Sequence, residues 1–70
     1  MEWIINSYDR RTDRDGQNRF TAEAAFIAAG QDLLCDVSRG FVSAILPDGA
    51  EVKDVGALRA IIAASPVAAR

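Results

Sequence analysis

Few side chains in this sequence could do chemistry, and their spacing decides which chemistry each could do. Asp32 and Asp36 stand four residues apart, which on a helix places both carboxylates on one face. Paired carboxylates can share acid–base work. Glycosidase-type pairs, however, need a cleft spanning a substrate, and so short a chain rarely encloses one. Both are read as part of a solvated helix face. Between them lies Cys35, the single cysteine. No Lys, Arg or His beside it in sequence would activate a thiolate, and the adjacent Asp36 opposes one, so it is read as an unreactive small residue. Histidine is absent from the sequence, which removes the commonest general acid–base. Neither a Cys–His pair nor a Ser–His–Asp triad can be assembled. The chain is therefore read as non-enzymatic. A small enzyme, the outlying alternative, would need a pocket lined by Asp32, Asp36 or Cys35.

Metal and phosphate sites fare no better. Asp13-Arg14-Asp15-Gly16 resembles the middle of a calcium loop. In EF-hand register the first ligand would be Arg11 and the closing bidentate glutamate would be Ala22, so two key ligands are lost. The stretch reads as a turn. One cysteine without histidine supports neither an internal disulfide nor a structural zinc site, and no glycine-rich phosphate loop occurs. No cofactor and no metal are expected.

The arginines are more informative. Arg10, Arg11, Arg14 and Arg19 are half of the 8 Lys and Arg residues. Guanidinium forks bind carboxylates and phosphates bidentately, so this cluster is a candidate contact for an acidic protein surface or, as the alternative, a nucleic-acid backbone. Asp9, Asp13 and Asp15 interleave with it, and a self-neutralised, solvated loop is the plainer reading.

These residues must be held by short elements. Residues 2–8 are β-branched and aromatic and predict a strand, with Trp3, Ile5 and Ser7 on one face. Residues 9–19 are polar, with Asp15-Gly16 as a turn signal, and predict a mobile surface loop. A hairpin returning over 17–20 is the alternative. Residues 21–38 predict the main helix, with Thr21 as N-cap and Gly40 as C-cap. Phe26, Ile27, Gly30, Leu33, Leu34 and Val37 fall within an arc of about 120° at helical spacing. Gly30 in that stripe implies close approach of another backbone, because glycine there costs about 1 kcal/mol against alanine. Residues 41–46 predict a strand, Pro47-Asp48-Gly49 a turn and 50–52 a short returning strand. Residues 54–65 predict a second helix capped by Asp54, with Val55, Leu58, Ile61 and Ile62 on one face. Pro66 should end it and leave 66–70 as a frayed tail. The order is β-α-β-β-α, or β-β-α-β-β-α if the early hairpin forms. It predicts one α+β domain with two helices on one face of a short, mostly antiparallel sheet.

Opposite the apolar stripes the helices are bare. The second carries Gly56, Ala60 and Ala63 away from Leu58, flanked by Ala57 and Ala64, and only Arg59 is charged between Val55 and Ser65. The first carries Ala24, Ala25, Ala28 and Ala29. Small faces permit close helix–helix approach, which suits a homodimer seamed on the second helix or a groove contact with a partner. Thirteen of the 70 residues are alanine, the best helix former, so composition alone could also produce such faces.

Charge and composition bound the rest. With 8 basic and 10 acidic residues, the net charge is −2, which is not the footprint of a nucleic-acid binder. A lone cysteine fits a reducing compartment. No signal-peptide pattern or membrane-length apolar run is present, so a cytoplasmic location is expected. The functional expectation is a small interaction module acting stoichiometrically as an adaptor, regulator or inhibitor, for instance of bacterial or phage origin.

Overall fold

The computed structural model describes residues 2–65. Strand β1 (Trp3–Asp9) turns through 10–13 into β2 (Arg14–Phe20). Helix α1 (Glu23–Cys35) follows, then β3 (Arg39–Ile45), β4 (Glu51–Val52) and helix α2 (Val55–Ala64). The four strands form one antiparallel sheet in the order β2-β1-β3-β4, and both helices pack on one face of it. This is the expected α+β architecture, with the early hairpin present.

Strand alternation decides which face is covered. Ile5 on β1 and Ala44 on β3 are buried beneath the helices. Phe26, Ile27 and Leu33 of α1, Val52 of β4 and Leu58 and Ile62 of α2 complete the core. Phe26 is its centre: the Trp3 ring stacks on it at a tilt, 4.7 Å between centroids, and Phe20 meets it edge-on at 6.5 Å. Such pairs add about 0.5–1.5 kcal/mol beyond their burial. Phe20 thereby anchors the end of β2, a strand that is otherwise exposed.

Gly30 is where the helices meet. A Cβ there would stand 3.2 Å from Ile62 Cδ1 and 3.9 Å from Leu58 Cδ1. The close approach expected at this position comes from the side chains of α2 and not from its backbone. Asp54 caps α2 as expected, its carboxylate accepting the Ala57 N–H at 3.1 Å. A cap of this kind contributes about 1 kcal/mol. The helix stops at Ala64, and Ser65 is extended, with ψ 132°, the conformation favoured before proline. The tail expected over 66–70 lies outside the described residues.

Four local expectations are corrected. Of the predicted loop over 9–19, only 10–13 turn, and Asp15-Gly16 lies inside β2. The turn is made instead at Asp13, which adopts φ 56°, a left-handed conformation that aspartate tolerates. The Tyr8 hydroxyl donates to the Asp13 carboxylate. At the start of α1 the N-cap is Ala22, which has no side-chain bond, in place of Thr21. At its end, Asp36 draws the chain out of the helix: its carboxylate accepts from the Ser38 N–H at 2.9 Å and the Ser38 hydroxyl at 2.6 Å. A local aspartate turn of this kind competes with continued helix. Val37, expected in the core stripe, is 91% exposed as a result. Gly40, expected as a C-cap, falls within β3.

Candidate functional site

The four arginines of the candidate contact sit around one hairpin and have different surroundings. Arg10 closes the molecule. Its Nη1 donates to the carbonyls of Val37 at 2.7 Å and Arg39 at 2.9 Å, and its backbone N–H donates to the Ser38 carbonyl at 2.8 Å. The guanidinium lies across Gly40, where a Cβ would come within 3.2 Å of Nη2. Arg10 therefore ties the β1–β2 turn to the entry of β3. Arg11 turns back to Asp9, with Nε 3.6 Å from its carboxylate. The same Asp9 oxygen accepts the Arg11 backbone N–H at 2.9 Å, and this bond is the main reason the Asp9 carboxyl sits below its ordinary value of 3.8. Arg19 reaches Glu2 at 3.5 Å and the Gln17 amide oxygen at 3.4 Å. Arg14 alone has no ion pair or hydrogen-bond partner among the described residues. Arg11 and Arg14 share a surface cavity with Arg39, where Asp9 and Asp15 offset their charge.

The carboxylates do not pair either. Asp32 is exposed on α1, while Asp36 has left the helix and holds Ser38. Those bonds, the Ser38 hydroxyl first, lower the Asp36 carboxyl from 3.8. Among the described residues no three acidic, cysteine or histidine side chains gather as metal ligands would.

Gly56, Ala60, Ala63 and Ala64 are all exposed on α2. On α1, Ala24, Ala25 and Ala28 are exposed as well, and Ala29 packs partly against the core. Between the helices runs a groove of about 420 Å³ lined by Gln31, Leu34, Cys35, Arg59, Ile62 and Ala63. The sequence pattern assigns Leu34 to the core stripe, yet it is only half-buried and forms an apolar wall of this groove. Cys35 and Arg59, far apart in sequence, share it. Their meeting depends on how α2 crosses α1 at Gly30, which no local pattern encodes.

The sheet face away from the helices is open. Across it runs a polar line: Gln17 donates to the Asn6 carbonyl oxygen at 3.0 Å, and the Asn6 amide donates to the Ser43 hydroxyl at 3.0 Å. This line ties β2, β1 and β3 together by their side chains. Half-buried Ile4, Tyr8 and Ile45 flank it.

Compared with protein-family models, characterised proteins and solved structures, the chain matches none. Among the described residues no helix is long and apolar enough to cross a membrane.

Proposed function

We propose that this chain is a non-enzymatic interaction module that acts stoichiometrically, receiving an amphipathic helix of a partner protein in the groove between α1 and α2. The observation that carries this reading is the groove itself. Leu34 and Ile62 supply apolar walls, and Ala63 leaves the α2 side low between Ile62 and Arg59. Small residues let a second backbone approach closely, and helix-in-groove recognition needs an apolar floor of this kind. Arg59 at the rim would pair with a carboxylate on the incoming helix. The chemistry-bearing residues give an enzymatic reading little support: Asp32, Asp36 and Cys35 converge on no enclosed pocket. Arg10 and Arg19 are held in structural and local pairings, and Asp9 and Asp15 offset Arg11 and Arg14, which weakens a nucleic-acid reading.

Affinity capture from the native cell tests the proposal, with Ala63→Glu, a charge placed in the groove wall, as control. A near one-to-one partner captured by the natural chain and lost by the variant is the expected result. Cys35 reports on the groove directly, so its alkylation should slow when the purified partner is added. A partner that binds Ala63→Glu equally well and leaves Cys35 alkylation unchanged refutes the groove as the site.

A further inference from the structure

We infer that β2 is a self-pairing edge, and that two copies of this chain join antiparallel along it, centred on Gln17, to make one continuous eight-stranded sheet. β2 ends the sheet order β2-β1-β3-β4. Its outer backbone groups pair with no other strand among the described residues. The strand reads Arg14-Asp15-Gly16-Gln17-Asn18-Arg19-Phe20, exposed throughout except at Phe20. A regular seven-residue edge is a template for another strand. Edge charges ordinarily discourage such pairing, but these are arranged to repel most strands and to accept a copy of themselves.

Register shows this. With Gln17 opposite Gln17 of the second copy, Asp15 faces Arg19 and Arg19 faces Asp15. Strand alternation puts all three on the open face of the sheet, beside the Gln17–Asn6–Ser43 line. Opposed side chains there stand about 4.5–5.5 Å apart at Cβ, within reach of an ion pair. On the other face Arg14, whose side chain has no partner among the described residues, comes opposite Phe20 and can lie against its ring. Other registers lose these pairs. Centring on Gly16 sets Asp15 against Gln17 and sends Arg19 to Asp13, in the turn. Centring on Asn18 sets Arg19 against Gln17 and Asp15 against Thr21, past the strand. Parallel, in-register pairing sets Arg19 beside Arg19. The opposite edge offers no such match. β4 covers only Ala44 and Ile45 of β3, and the uncovered part bears one charge, Arg39, and is interrupted near Val42 by a register shift.

This pairing is independent of the proposed groove, which lies on the helix layer, and its test separates the two. Solution mass is measured by light scattering after size exclusion from about 1 µM to 1 mM, the range in which weak association shows. The natural chain should shift from one to two chain masses. Asp15→Arg or Arg19→Asp alone turns both symmetry-related attractions into repulsions and should weaken the dimer roughly tenfold. The double exchange, Asp15→Arg with Arg19→Asp, restores both pairs and should restore the dimer. Circular dichroism confirms that each variant is folded; where one is not, the Asp15→Lys and Arg19→Glu set replaces it. A natural chain that stays monomeric throughout overturns the inference. So do single variants that dimerise as the natural chain does, and so does a double exchange that fails to recover the dimer. A dimer broken by Ala60→Glu and indifferent to the β2 changes places the seam on α2 instead.

Discussion

Arg10→Ala should destabilise the fold more than any other single arginine change in the hairpin. Two guanidinium bonds vanish, to Val37 and Arg39 carbonyls at 2.7 and 2.9 Å. Charge-assisted bonds are worth about 1.5–3 kcal/mol each when water is excluded. Here the site is exposed, so water replaces much of each, and a total of about 1 kcal/mol is expected. For a domain of this size that lowers Tm by about 4–8 °C. Arg11→Ala removes only a surface ion pair to Asp9 and should cost less than about 0.5 kcal/mol. Arg10→Lys should recover only part of the loss, since an ammonium cannot span two carbonyls as a planar fork does. Gly40→Val should displace the guanidinium, and combined with Arg10→Ala it should cost less than the sum of the two. Thermal and urea unfolding followed by circular dichroism measure all five variants. Equal Tm for Arg10→Ala and Arg11→Ala would show that the tie to β3 contributes nothing, and the reasoning would fail.

Two other outcomes follow from the geometry. Gly30→Leu should destabilise by about 1–3 kcal/mol through overpacking, because even a Cβ there comes within 3.2 Å of Ile62; a melting temperature at or above that of the natural chain would mean α2 does not pack over Gly30. Stability should also fall in acid: Asp9 and Asp36 both titrate below 3.8 when folded, so each stabilises fully above the unfolded value and loses that contribution as pH drops through its folded value. Asp36→Asn should therefore lower urea stability at pH 7 and flatten the decline between pH 5 and 2, and an unaltered acid slope would discount the Asp36–Ser38 turn.

What the sequence made legible follows the strength of its periodic signals. α2 was readable because Asp54 sits just before an apolar stripe and Pro66 just after it. β1 was readable from Trp3, Ile5 and their alternation. β2 was legible only as the alternative return over 17–20, because both its faces are polar, and a strand is recognised by apolar alternation that an exposed edge does not need. Its one apolar residue, Phe20, sits at the end and is held by Phe26 across the core. The end of α1 was misplaced for another reason. Val37 continues the helical stripe, while the competing signal is the two-residue reach from Asp36 to Ser38. The candidate arginines were correctly seen as clustered in sequence. Their division into a structural tie, two local pairings and one cation unpaired among the described residues depends on contacts such as Arg10 to Val37, 27 residues apart.

The proposed groove and the inferred edge bear on one another through symmetry. An antiparallel pair about Gln17 has its two-fold axis perpendicular to the sheet, so both helix layers lie on the same side of the joined sheet. The two α1–α2 grooves would then face one way, and the two polar lines through Asn6 would merge into one across Gln17 and its copy. A partner displaying two helices, or a dense array of one, would meet two grooves at once. Linked engagement raises apparent affinity through effective concentration, with no new contact. That gives an edge with modest pairing energy a function: it need not hold a permanent dimer, because a bivalent partner bound in both grooves would itself hold the two edges together.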